Sequence, residues 1–112
     1  MKIITYNVNG IRAAINKGFL NWLKASNADM ICLQEVKATA DQLDFEIFAS
    51  LGYHVHWFPA VKLGYSGVAI LTKHKPLNVV PGCSIDRYDT EGRILTLDFE
   101  DFSLMSVYMP SG

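Results

Sequence analysis

The run Met30-Ile31-Cys32-Leu33 constrains this chain more than any other feature. Four consecutive apolar residues that stop abruptly at Gln34-Glu35 describe a short strand buried on both faces. A strand of that kind lies inside a sheet, and the segments before and after it supply the rest of the fold.

Lys2 to Asn9 alternates as a first strand, with Ile4, Tyr6 and Val8 on one face and Ile3, Thr5, Asn7 and Asn9 on the other. Gly10 ends it. Ile15, Phe19, Trp22 and Leu23 recur at spacings of three and four, which predicts a helix from about Ala13 to Ser26, weakened by Gly18 and closed by Asn27. Thr39-Ala40-Asp41-Gln42 has the form of a capping box and predicts a second helix with Leu43, Ile47 and Phe48 inward. Tyr53 to Phe58, Val68 to Thr72 and Leu77 to Val80 read as strands. Leu95, Leu97 and Phe99 alternate with Thr96, Asp98 and Glu100, and a turn at Glu100-Asp101 returns the chain along Phe102 to Met109. This order predicts an α/β fold, a mixed sheet with helices on one face. Nothing at Pro110-Ser111-Gly112 resembles a closing helix, so the opposite face is expected to lack cover and to drive self-association or to meet a partner.

Composition excludes several classes. The 112 residues suit one domain, and with half of them hydrophobic the chain is not a disordered segment. A formal net charge of −1 argues against a wholly basic nucleic-acid binder but not against phosphate chemistry, because a metal ion supplies positive charge locally. Cys32 and Cys83 are too few for a disulfide framework and have no metal-site spacing, which points to a reducing, cytoplasmic setting. The N-terminal residues lack a signal-peptide pattern, and no apolar stretch approaches the ~20 residues needed to span a bilayer.

Asn7 and Asn9 share a face at the carboxyl end of the first strand, and Glu35 lies at the corresponding end of the second. Ligand sites in α/β sheets collect at such ends. If the two strands are parallel neighbours, two amides and a carboxylate converge, a donor set suited to a hard cation such as magnesium. The residues alone leave a second reading open, in which the asparagines form turns and Glu35 is a solvated strand end. His54 and His56 share a strand face without a third ligand and make a poor zinc site. All three histidines are assigned to structure or surface, and Trp22 and Trp57 to the core.

Five segments bear a resemblance. Asn7-Val8-Asn9-Gly10-Ile11-Arg12-Ala13, Leu33-Gln34-Glu35-Val36-Lys37, Gly64-Tyr65-Ser66-Gly67-Val68-Ala69-Ile70-Leu71, Glu91-Gly92-Arg93-Ile94 and Val107-Tyr108-Met109-Pro110 resemble, in order, the motifs of the exonuclease III family of AP endonucleases. The resemblance implies one half of a four-layered, DNase I-like α/β sandwich, with residues 1–112 as its N-terminal half. It implies Glu35 as the principal metal ligand for Mg²⁺, with Mn²⁺ as a substitute. It places Asn7 at the metal and catalytic-base site, Asn9 at a substrate-binding position filled by Asn or Asp in relatives, and Tyr108 near the scissile phosphate. Arg12, Lys37 and Tyr65 match positions close to the DNA backbone, while Gln34, Glu91 and Arg93 match supporting positions.

The implied substrate is duplex DNA carrying an abasic site or a 3′ end, and the implied reaction is attack of an activated water on a metal-bound phosphodiester. Family members are more than twice this long, and the resemblance assigns their general-base aspartate and a late histidine to the second half. The 112-residue chain alone is therefore expected to be inactive. Inositol-lipid phosphatases of the same superfamily share the Asn and Glu motifs and stand as the alternative, as does a non-catalytic fragment that self-associates.

Overall fold

The computed structural model describes residues 1–110. The apolar run forms β2 (Met30–Gln34), every residue of it buried, inside a sheet with β1 (Ile3–Asn7), β3 (His54–Phe58) and β4 (Val68–Thr72) in the order β1-β2-β4-β3. β1 and β2 are parallel, with Asn7 opposite Gln34, while β4 runs antiparallel to both β2 and β3. The crossover from β1 to β2 was expected as one helix and is two, α1 (Ile11–Asn16) and α2 (Phe19–Ser26). Gly18 separates them at φ 102°, a conformation open to glycine, so the chain turns and Ile11, Phe19 and Leu23 all reach the core. Asn27 closes α2 in the left-handed conformation, as expected.

The second predicted helix is also shorter. Gln42 Oε1 accepts the Thr39 N–H at 3.0 Å and closes a single 3₁₀ turn over Ala40–Gln42, after which Leu43 is extended. Helix then resumes as α3 (Glu46–Ala49), which buries Phe48. These helices cover one face of the sheet, packing Phe19, Leu23 and Phe48 onto Ile31, Leu33, Ala69 and Leu71. Trp22 and Trp57 border that core, Trp57 donating from Nε1 to the Ala38 carbonyl at 2.8 Å.

The remaining strands form a second sheet, where the sequence reading placed them in one. β5 (Asn78–Pro81), β6 (Ile94–Asp98) and β7 (Ser103–Val107) pair antiparallel in the order β5-β6-β7. A short helix, α4 (Asp86–Asp89), was not foreseen. The fold class stands as a mixed α/β architecture with helices on one face of the first sheet. The expectation that its other face lacks cover is overturned: Leu95 and Leu97 of β6 pack there on Cys32, Val68 and Ile70. Both faces of β2 and β4 are apolar, and the alternating β6 supplies a matching apolar stripe. The surface left open is the outer face of the second sheet, with Val80, Met105 and Val107 each about half exposed. Ser111 and Gly112, part of the segment on which the missing closing helix was argued, lie outside the described residues.

Candidate active site

The first three sequence motifs are zipped together where β1 and β2 end. Val8 N–H donates to the Gln34 carbonyl at 3.1 Å, Gly10 N–H to Glu35 at 2.7 Å and Ile11 N–H to Val36 at 2.9 Å. On the other side, Val36 and Lys37 donate to the carbonyls of Gly67 and Ser66, at 3.1 and 2.9 Å. Held from both flanks, three non-glycine residues adopt left-handed backbone: Asn9 at φ 46°, Glu35 at 52° and Lys37 at 54°. Asparagine tolerates this conformation, but glutamate and lysine adopt it at a cost of roughly 1–2 kcal/mol each. Such strain persists where surrounding structure enforces it and clusters at functional sites.

The result is a polar cluster around one carboxylate. Asn7 Nδ2 donates to Glu35 Oε1 at 2.8 Å, and the Asn7 side-chain oxygen accepts the Asn9 N–H at 3.0 Å, which fixes the orientation of the amide. Asn7 thus acts on the carboxylate and does not present its own oxygen outward. Lys37 Nζ lies 2.7 Å from Asn9 Oδ1 and 3.5 Å from Glu35 Oε2. The Asn7 hydrogen bond, followed by Tyr108 and Lys37, outweighs partial burial and holds the Glu35 carboxyl below the usual carboxylate range. The opposite shift falls on Tyr108: burial and the facing Glu35 charge push its phenol above 10.0, so it remains a hydrogen-bond donor at neutral pH. Arg12 reaches the Lys37 carbonyl at 3.5 Å, and Gly10, Arg12, Ala13, Lys37 and Gly64 line an open cleft of about 360 Å³.

The other motifs meet behind Tyr108, at Arg93. This guanidinium is almost wholly buried and pairs with Glu91. Its Nη1 donates to the Tyr108 carbonyl at 3.2 Å, its Nη2 to the Tyr65 hydroxyl at 3.5 Å, and it stands 5.6 Å from the centre of the Tyr108 ring. Gly92 makes this approach possible, because a Cβ there would lie 2.6 Å from the Phe58 carbonyl oxygen. Below the cluster, Gln34 Nε2 donates to Thr5 Oγ1 at 2.9 Å and to Ser106 Oγ at 3.3 Å, and Ser106 donates to the Leu33 carbonyl at 3.0 Å.

All ten residues singled out from sequence therefore fall in one connected region. Ser106 and Thr5 were missed, although a serine at an inward position of an otherwise apolar strand face was a readable signal. The histidines lie elsewhere, His74 against Asp29 at 3.3 Å and His56 on β3.

The residues present fit a hydrated hard cation. The Lys37 ammonium already sits between an amide oxygen and a carboxylate oxygen, marking a place where positive charge is held. One ionised carboxylate with open access to water and phosphate is a common magnesium arrangement. Among the described residues there is no group of three or more His, Cys, Asp or Glu that could hold a metal ion.

Two packed sheets with helices on the outer face of the first, and a polar cluster at the carboxyl ends of β1 and β2, define an α/β protein with a candidate ligand site at its strand ends. The sequence profile of the Endonuclease/Exonuclease/phosphatase family matches residues 4–109, and the chain belongs to that family. It is 47% identical to an exodeoxyribonuclease of Bacillus subtilis (strain 168) over 112 residues, covering 99% of this chain and 43% of that protein. It is 42% identical to the DNA repair nuclease APEX1 of Danio rerio, covering 99% of this chain and 36% of that protein. Among solved structures it is similar to an AP endonuclease from Archaeoglobus fulgidus, with a TM-score of 0.85 at 30% identity over 98% of this chain and 41% of that one. A 3′-5′ exonuclease from Neisseria meningitidis gives a TM-score of 0.84 at 28% identity, over 96% of this chain and 41% of that one. The chain thus spans about two-fifths of the length of the relatives it matches. No described helix is long and apolar enough to cross a membrane.

Proposed function

We propose that residues 1–112 form the metal- and phosphate-binding half of an exonuclease III-like nuclease that hydrolyses DNA phosphodiesters at abasic sites and 3′ ends. The observation that carries this reading is the convergence on Glu35 of Asn7, Lys37 and Tyr108, from three separate motifs. Exodeoxyribonucleases and AP endonucleases among the similar proteins support it. The two free thiols, Cys32 and Cys83, suit a reducing cytoplasm.

Glu35 is the residue that would hold Mg²⁺ or Mn²⁺, with Asn9 beside it. The bound ion would supply charge stabilisation at the phosphate and the leaving oxygen. Asn7 orients Glu35 and keeps it ionised. Lys37 and Arg12 offer positive charge to the phosphate backbone, and the Tyr108 hydroxyl donates to a phosphate oxygen. Arg93, paired with Glu91, fixes Tyr108 and Tyr65 in place. General-base activation of water, worth ~10²–10⁴ in rate, is assigned to a part of the longer protein, so this chain alone is expected to be silent. The outer face of the second sheet, with Val80, Met105 and Val107, is its association surface, and light scattering should show more than a monomer.

The test combines intact mass with magnesium-dependent cleavage of a duplex containing one abasic site. No cleavage by the 112-residue chain, and restored cleavage on adding a separately made C-terminal half, supports the reading. Cleavage by the chain alone, abolished in Glu35→Ala, would show that it completes its own site. Turnover of a phosphoinositide and not of the duplex would move it to the phosphatases.

A further inference from the structure

Lys37 places its ammonium between two oxygens from different strand ends, 2.7 Å from Asn9 Oδ1 and 3.5 Å from Glu35 Oε2. The position is built. Lys37 is held at φ 54°, its N–H donates to the Ser66 carbonyl at 2.9 Å, and its own carbonyl accepts from Arg12 at 3.5 Å. Asn7 donates to Glu35 Oε1, so these two oxygens are the ones that face a cation in this structure. An ammonium and a divalent ion on these two oxygens oppose each other, because like charges a few ångströms apart repel.

We propose that Lys37 is an internal counter-cation that sets the metal affinity of the site, occupying the Glu35–Asn9 oxygen pair until a divalent ion displaces it. The side chain is suited to leaving: it is 35% exposed and carries its charge on a flexible four-carbon stem. Its departure frees the ammonium for a phosphate in the cleft beside Arg12. That last step rests on the proposed nuclease function, whereas the competition for Glu35 does not.

The test uses Mn²⁺ alone, with bound ion counted by electron paramagnetic resonance, on the full chain and on Lys37→Met, Lys37→Arg and Glu35→Gln. Lys37→Met is expected to bind Mn²⁺ about fivefold more tightly, the scale of one partly exposed ion pair. Lys37→Arg should show no gain, and Glu35→Gln should lose the site. Wild-type binding with no gain in Lys37→Met would overturn the competition and leave the metal reading of Glu35 standing. Absence of bound Mn²⁺ in all four proteins would overturn both.

A second measurement needs no variant. The Lys37 ammonium, held in the metal-free protein, should give an observable ¹⁵N-correlated NMR signal that is lost as Mg²⁺ is added. A Lys37 signal unchanged at saturating Mg²⁺ would overturn the proposal whatever the variants do.

Discussion

Asn7 reaches from the end of β1 to Glu35 beyond the end of β2, its amide nitrogen 2.8 Å from Oε1. Because this bond is the largest influence holding the Glu35 carboxyl below its ordinary range, it has a pH signature. In the unfolded chain the carboxyl takes up its proton near ~4.3, and in the folded chain only at lower pH. The difference adds stability above the unfolded value, and that stability is lost as pH falls through the folded one. Asn7→Ala is expected to flatten the acid limb of stability, read from urea midpoints between about pH 3 and 7. Parallel acid limbs for the two proteins would show that Asn7 does not govern the carboxylate.

Arg93 offers a test of the second half of the cluster. Arg93→Met leaves Glu91, the Tyr65 hydroxyl and the Tyr108 carbonyl without their shared partner. Breaking a buried pair in this way costs about 3–5 kcal/mol when both ions are buried. Glu91 is 37% exposed and regains solvent, so a loss of about 2–3 kcal/mol is expected from urea unfolding. Arg93→Lys keeps the charge but not the planar fork, and should recover less than half of that loss. Full recovery by lysine would reduce the role of Arg93 to simple charge pairing.

How much of this was legible follows from the scale of each feature. The doubly buried β2, the strand at β4 and the alternation of β6 were readable, because period and burial are written residue by residue. The division into two sheets was not, since alternation gives a strand its faces but not the sheet it joins. The break at Gly18 was under-read: apolar spacing continued through it, while the backbone at φ 102° did not continue the helix. At the site, Glu35 and Lys37 were placed by motif and by strand ends. Their left-handed backbone was invisible, because neither residue type announces a positive φ. Arg93 read as a support, and only the packing of Gly92 against Phe58 shows why it can reach two other motifs at once.

Gln34 and Ser106 tie the two sheets together directly beneath the site, donor to acceptor at 3.3 Å. Ser106→Ala removes both this acceptor and the donor to the Leu33 carbonyl, leaving buried polar groups unpaired, and is expected to cost about 1–3 kcal/mol. A double-mutant cycle with Gln34→Ala should return a coupling of at least ~0.5 kcal/mol, as residues in one network do. Additive losses would mean that the Gln34–Ser106 bond couples nothing, and that the junction is carried by the Ser106 bond to the Leu33 carbonyl and by Leu95 and Leu97 against Cys32, Val68 and Ile70.

His56 gives the fold a pH dependence of its own. It lies on β3 opposite Ile70, with Nε2 buried and without a hydrogen-bond partner among the described residues. Burial, and next the neighbouring His54, lowers its pKa, so it stays neutral in the folded chain where an unfolded histidine takes up a proton. Between the unfolded value near ~6.5 and the lower folded one, the unfolded state binds more protons, and stability falls as pH falls. His56→Phe keeps a ring in the sheet and removes the titration. The thermal midpoint of the wild type should therefore drop more between about pH 7 and 5 than that of His56→Phe. If both midpoints fall in parallel, the pH dependence originates in other groups, and the unpartnered nitrogen of His56 is a cost the fold bears without titrating.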